Sequence, residues 1–189
     1  MFTSLFLKIL NMEASSSKSR PREILEKLET REGVVVADLG SGGGYFTLEF
    51  ARLVGRSGKV YAVDRNAKYL DFIKREAQRH GLTNVSFILA ANDHVHLPKA
   101  GIDLIFVRNV FHHLPEPARY FANLKECLKQ QGRLAVIEHK EKHGFNFVSL
   151  FKHFTPVNTL YADMEHAGYS WLQSFDFLPE QTFNLFGLK

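Results

Sequence analysis

The sequence predicts an α/β three-layer sandwich built on a seven-stranded, mostly parallel sheet that ends in an antiparallel hairpin. Three observations predict it. From residue 20 onward, short β-branched apolar runs alternate with amphipathic stretches of helical period, the pattern of a parallel sheet with helices on both faces. The first of those runs, Val34-Val35-Val36-Ala37, is apolar on both faces, as a strand in the middle of a parallel sheet must be. The last two runs, 169–177 and 182–188, are joined by Leu178-Pro179-Glu180, too few residues for a crossover helix, so they must pair antiparallel.

Each element has its own signal. Ser19-Arg20-Pro21 starts a helix that carries Ile24, Leu25 and Leu28 on one face and stops at Gly33. After the strand at 34–37 comes a glycine cluster, then a helix with Phe46, Phe50 and Leu53 on one face. Lys59 to Val63 is the second strand, and Asn66 caps a helix bearing Leu70, Ile73 and Ala77 that Gly81 closes. Val85 to Leu89 and Ile102 to Val107 are the third and fourth strands. Leu114-Pro115-Glu116-Pro117 opens a helix with Phe121, Leu124 and Leu128 at core spacing; Gly132 ends it before a fifth strand, Leu134 to Ile137. Thr155 and Pro156 supply an N-cap and a first-turn proline for a helix with Val157, Leu160, Tyr161 and Met164 on one face, closed by Gly168.

A chain of 189 residues, 45% hydrophobic and 23% charged, suits one domain whose core needs no disulfide or structural metal. Residues 20–189 are expected to be that domain, and residues 1–19 a flexible N-terminal appendage. Met1 to Leu10 is apolar but too short to span a bilayer, and the stretch through Ser15-Ser16-Ser17 reads as a tether. The single cysteine, Cys127, can form no internal bridge, which points to a reducing compartment and a cytoplasmic protein. The net charge is +4, but Lys and Arg are spread along the chain instead of gathered in a stripe, so a nucleic-acid partner is not expected. The sequence leaves the oligomeric state open.

The chemistry concentrates in Asp38-Leu39-Gly40-Ser41-Gly42-Gly43-Gly44-Tyr45, between the first strand and its helix. Glycines there let the backbone turn sharply and let a ligand touch the main chain. The helix N-terminus beyond offers unpaired N–H groups and a partial positive charge. A dinucleotide wants Gly-x-Gly-x-x-Gly, and Tyr45 stands where its third glycine belongs. Asp38, two residues before the first glycine, would repel a pyrophosphate but suits a cationic amino group. Asp64, at the end of the second strand, is placed to accept hydrogen bonds from ribose hydroxyls. His112, His113 and His139 all follow strand ends and are candidate general bases. Neither the His112-His113 pair nor His94-x-His96 has the further ligands of a metal site, so no metal is expected.

Residues 36–46 resemble the first motif of class I S-adenosylmethionine-dependent methyltransferases, a Rossmann-like family, and Val60-Tyr61-Ala62-Val63-Asp64 resembles its acidic second motif. Asn92-Asp93-His94-Val95-His96-Leu97-Pro98 is similar to the family's Gly-Asp-Ala-x-x-Leu-Pro stretch, with Asn92 in the glycine position. Residues 102–107 and Asn109-Val110-Phe111-His112-His113-Leu114 resemble the fourth-strand motif, and Gly132-Arg133-Leu134 the entry to strand five. The motifs run in order over about residues 21–188, closest to the small-molecule, quinone-biosynthesis-like branch of the type 11 kind.

The resemblance implies S-adenosylmethionine as methyl donor and S-adenosylhomocysteine as product. It implies that Gly40, Gly42 and Gly44 carry the backbone against the methionine moiety and that Asp38 orients it. Asp64 would take both ribose hydroxyls and Asp93 the adenine amino group, with Tyr45 and Arg108 completing the cofactor set. Arg108 and Asn109 would line the mouth near the transferring methyl, Asn109 toward a small-molecule acceptor. Phe147 is a candidate acceptor residue on a separate ground, its place in the loop beyond strand five. Phe147 belongs to 139–154, the longest stretch with no clear element, whose phenylalanines suit either an acceptor lid or a hydrophobic flap. Two other readings stay open: a methyltransferase acting on protein or RNA with a partner subunit, and a nucleotide-fold binding protein that transfers nothing.

Overall fold

The computed structural model describes residues 2–91, 95–141 and 154–189. The chain divides into two compact units, Met1–Leu97 and Pro98–Lys189. The first contains α1 (Phe2–Ala14), α2 (Pro21–Lys27), β1 (Val35–Leu39), α3 (Tyr45–Val54), β2 (Lys59–Asp64), α4 (Ala67–Arg79) and β3 (Val85–Leu89). Its strands run parallel in the order β3-β2-β1. Leu39 pairs with Val63 and Asp64 with Leu89, so the strands end level and Asp38 and Asp64 share one edge. Val36, Ala37, Val60, Ala62 and Val63 are buried, as the two-faced apolar runs require. The Asn66 side chain caps α4 by accepting the Lys68 N–H at 3.0 Å, and Ile73 and Ala77 pack with Leu48 beneath it.

The N-terminal segment, where the sequence suggests a flexible tether, is helical. Leu7 is fully buried and Ala14 nearly so, and with Asn11 between them they form a stripe at i, i+4, i+7 that packs on the first unit. The serines that read as a linker form a stop. The Ser16 side chain accepts the Ser19 N–H at 3.4 Å, and the Ser19 hydroxyl donates to the Glu13 carbonyl at 2.7 Å. The stripe is easy to overlook because its middle residue is polar and its outer face carries Leu5, Ile9 and Met12, all exposed.

The second unit contains β4 (Ile102–Arg108), α5 (Pro117–Leu124), β5 (Leu128–His139), α6 (Val157–His166), β6 (Tyr169–Phe175) and β7 (Gln181–Leu188). Its strand order is β4-β5-β7-β6, with β4 and β5 parallel and β7 antiparallel to both β5 and β6. The fold is thus the expected class: seven strands in a mostly parallel sheet with antiparallel C-terminal strands, flanked by helices.

Two boundaries move. Leu128, expected on the core face of a helix, is instead the first residue of a 12-residue β5. Gly132 lies inside that strand, where a Cβ would meet the Ile102 carbonyl oxygen at 2.9 Å and where the β4–β5 register shifts. It marks a close backbone approach and not a helix stop. At α6, Pro156 is the cap and Val157 the first helical residue, one position later than the Thr155 signal suggests. Among the described residues no helix is long and apolar enough to cross a membrane.

Candidate functional site

The loop between β1 and α3 is held by its own backbone. Gly40 and Ser41 both donate N–H groups to the Val63 carbonyl, at 2.8 and 3.0 Å, and the Ser41 hydroxyl donates to the Asp38 carbonyl at 2.9 Å. Gly40, Gly42 and Gly44 have φ of +72°, +54° and +83°, left-handed conformations that favour glycine. What a Cβ would meet separates the glycines by role. At Gly44 it would lie 2.6 Å from Ile73 of α4, and at Gly43 2.6 Å from the Leu7 carbonyl oxygen of α1. Those two glycines let helices approach the loop. At Gly42 the nearest atoms, the Gly40 carbonyl oxygen and a Leu10 methyl, lie 3.8 Å away, so a Cβ would meet ordinary contact there and no clash.

Asp38 is 4% exposed, and the Thr47 hydroxyl on the first turn of α3 donates to its Oδ2 at 2.5 Å. Burial pushes its carboxyl up to about 7, and nearby Asp64 adds to the rise while the Thr47 bond opposes it. Asp64 is half-buried; its Oδ2 accepts the Gly42 N–H at 3.0 Å and its Oδ1 the Asn66 N–H at 2.9 Å. Burial raises this carboxyl too, against those backbone bonds. Asp64 therefore braces both the glycine loop and the start of α4. Each oxygen retains lone-pair capacity for a further donor such as a ribose hydroxyl.

Asn11 of α1 reaches the same loop. Its Nδ2 donates to the Gly43 carbonyl at 2.7 Å and its Oδ1 accepts the Tyr45 N–H at 3.2 Å, capping α3 from outside the loop. Tyr45 opens α3, and burial raises its hydroxyl above the ordinary tyrosine value. Asp93 and Phe147, also expected at the site, lie outside the described residues.

In the second unit the expected residues join a different network. The Arg108 Nη2 donates to the Gln181 Oε1 at 3.1 Å, and the Gln181 Nε2 donates to the Asn109 Oδ1 at 2.6 Å. One glutamine at the start of β7 thus ties together two side chains from the end of β4. Asn109 adopts φ +56°, which turns the chain sharply off the strand. Beyond it, the His112 ring Nδ1 sits 2.8 Å from Glu138 Oε1. Glu138 is fully buried at the end of β5 and also accepts the backbone N–H groups of His112 (3.2 Å) and His139 (2.9 Å). The His113 and His139 rings lie 4.0 and 6.5 Å from that of His112.

Sequence reasoning missed Asn11, Thr47, Gln181 and Glu138. The signal for Glu138 is present in the sequence, for it ends the apolar run Leu134 to Ile137 as Asp38 and Asp64 end or nearly end theirs. Among the described residues no group of three or more His, Cys, Asp or Glu side chains stands where it could hold a metal ion.

Comparison with known proteins agrees with this architecture. A family model described as a methyltransferase domain matches residues 30–182. Protein-L-isoaspartate O-methyltransferase of Methanothrix thermoacetophila is 36% identical over 109 residues, 58% of this chain and 49% of that protein. The ubiquinone/menaquinone biosynthesis C-methyltransferase UbiE of Hahella chejuensis is 30% identical over 118 residues, 62% of this chain and 47% of that protein. The chain thus spans about half the length of the curated relatives it matches. The crystal structure of a SAM-dependent methyltransferase from Aquifex aeolicus superposes with a TM-score of 0.84 at 22% identity, covering 98% of both chains, and shares the fold.

Proposed function

Because the chain belongs to the methyltransferase-domain family, of the class I S-adenosylmethionine-dependent kind, we propose that it binds S-adenosylmethionine on the β1–α3 loop and transfers its methyl group to a small-molecule acceptor. The observation that carries this reading is Asp38, a buried carboxyl raised to about 7 beside a loop whose Gly40, Gly42 and Gly44 all take left-handed backbone conformations. Such a group gains by meeting a cation, and the ammonium of the methionine moiety is one. A pyrophosphate offers it only repulsion. The residues present therefore fit the group.

When bound, S-adenosylmethionine supplies a methyl already activated by its sulfonium, so transfer by in-line displacement depends mainly on alignment. The chain's own residues then have defined tasks. Asp38, positioned by Thr47, anchors the ammonium, and Gly40 and Gly42 bring main chain to the methionine moiety. Asp64 accepts from the ribose hydroxyls while holding the loop. Asp93 takes the adenine amino group, and Tyr45 and Arg108 complete the set carried over from the family motifs. Asn109 and Phe147 are the residues assigned to the acceptor. The buried Cys127 fits a reducing cytoplasm.

The small-molecule acceptor is supported by the likeness to UbiE, named for quinone biosynthesis. The isoaspartate relative, named for protein O-methylation, supports a protein acceptor as the second reading. Incubation with S-adenosylmethionine labelled in the methyl group separates them. Label is expected in the small-molecule extract of a metabolite mixture, and label confined to precipitated protein or RNA would overturn the acceptor assignment.

A further inference from the structure

Glu138 is the most deeply buried acid of the second unit, at 0% exposure, and the cofactor roles above do not use it. A carboxylate taken fully out of water needs compensation by hydrogen bonds. Here the compensation comes from three N–H groups: two from the backbone of His112 and His139, and one from the His112 ring. The carboxylate only accepts, so the 2.8 Å contact places the ring proton on Nδ1. That tautomer leaves Nε2 as the basic nitrogen of the imidazole. The pair follows the carboxyl ends of β4 and β5, the end of an α/β sheet at which substrates bind.

We propose that His112 is the general base of methyl transfer, that Glu138 is its positioning residue, and that the acceptor atom is the oxygen of a hydroxyl group. The proposal rests on the methyltransferase reading and deepens it. Methyl transfer to a tertiary amine or a thioether releases no proton, and a buried, tautomer-fixed histidine would have no task. Transfer to a hydroxyl does release one, as does transfer to carbon or to an N–H amine. An amine, however, attacks with its own lone pair and sheds its proton afterwards. The ring carbon of a phenol is activated by loss of the hydroxyl proton, so a hydroxyl is the group on which a base acts as transfer occurs. As the oxygen–methyl bond forms, the sulfur–methyl bond breaks and its electron pair stays on sulfur, giving the neutral thioether S-adenosylhomocysteine. The hydroxyl proton passes to His112 Nε2. The imidazolium so formed is stabilised by the Glu138 carboxylate at Nδ1, as in other base–carboxylate pairs.

Among the described residues, the ionisable groups that meet His112 include Glu138 and His139 from β5 and His113 from its own turn. The pH dependence is therefore read against the Glu138 variants. Two measurements test the proposal, both on the full chain loaded with S-adenosylhomocysteine or S-adenosylmethionine. Imidazole nitrogen-15 resonances of the parent protein, followed to the alkaline end of the range where the ring holds a single proton, should place that His112 proton on Nδ1. A proton on Nε2 would overturn the proposal without any variant.

The second measurement follows labelled methyl transfer to phenol and hydroxybenzoate, with N,N-dimethylaniline and thioanisole as matched probes lacking a removable proton. Methylation is expected on the hydroxyl probes. Methylation confined to the other two, or of none, overturns the acceptor assignment. With the methylated phenol, His112→Asn should lower kcat by about 100- to 10,000-fold, and the residual rate should rise with pH as phenolate accumulates. Glu138→Gln should lower kcat and move the acidic limb of the pH profile to lower pH, and Glu138→Asp should restore part of both. S-adenosylhomocysteine affinity should stay within about threefold in all three variants. Equal kcat in His112→Asn and the parent overturns the base role. Failure of the parent to bind S-adenosylhomocysteine would instead remove the methyltransferase reading.

Discussion

Replacing Asp38 with asparagine should stabilise the ligand-free protein and weaken its hold on the cofactor, two effects of opposite sign from one atom change. The carboxyl is raised from 3.8 to about 7, chiefly by burial. Its folded-state value exceeds its unfolded value, so the unfolded chain releases the proton first. Stability falls as pH rises through that interval, and the whole penalty stands above its upper end. At about 1.4 kcal/mol per pH unit, the interval corresponds to on the order of 4 kcal/mol. Asparagine keeps the shape and an acceptor for the Thr47 hydroxyl but buries an amide donor, so a net gain of about 1–3 kcal/mol at alkaline pH is expected. The gain should shrink to nothing near pH 4.

On the proposed reading of the β1–α3 loop, the same change removes the charged partner of the ammonium. A hydrogen bond to a charged group contributes about 1.5–3 kcal/mol, so S-adenosylhomocysteine should bind about 10- to 150-fold more weakly at neutral pH. Thermal unfolding across pH reads the first effect and calorimetric titration the second. In the parent protein, titration in two buffers of different ionisation heat should also reveal proton release on binding just below pH 7, as the ammonium draws Asp38 into its charged form. If the variant gains no stability toward alkaline pH, or binds the ligand as tightly as the parent, the burial argument for Asp38 is wrong.

Asp64→Ala should cost about 1–3 kcal/mol of stability by orphaning the Gly42 and Asn66 N–H groups, as well as weakening cofactor binding; denaturant unfolding with and without ligand separates the two losses. Gly44→Ala, which drives a Cβ into Ile73, should destabilise by more than about 2 kcal/mol, while Gly42→Ala should stay within about 1–2 kcal/mol yet bind S-adenosylhomocysteine at least about tenfold more weakly. Deleting residues 1–14 should lower the unfolding midpoint measurably, since Leu7 is buried and a Leu→Ala change at such a site alone costs about 2–5 kcal/mol. Asn11→Ala should reproduce part of that loss through the Gly43 and Tyr45 bonds, again read by thermal unfolding.

What was legible in the sequence is what short-range pattern encodes. The strand runs, the Asn66 cap, the glycine loop and the closing hairpin each declare themselves within a dozen residues, and the acids at the ends of β1 and β2 sit where strand periodicity places them. What was not legible depends on partners far along the chain. Gln181 is 73 residues from Arg108, and Glu138 is 26 from His112. A charged residue next to an apolar run gives no hint that three N–H groups will converge on it. The N-terminal helix was hidden for a related reason. Asn11 looks like a linker residue until Gly43 and Tyr45, more than thirty positions away, supply its partners. Leu128 and Gly132 misled because an apolar residue and a glycine suit a helix end and a bulged strand equally, and only the neighbouring Ile102 decides between them.

One titration bears on the whole reading of the β1–α3 loop. The full chain at about pH 8, where Asp38 should be charged, is titrated separately with S-adenosylhomocysteine and with NAD, and the titrations are repeated on Asp38→Asn. The structure predicts saturable binding of S-adenosylhomocysteine, no heat from NAD, and weakened binding of S-adenosylhomocysteine in the variant. Saturable NAD binding with no response to S-adenosylhomocysteine would contradict it.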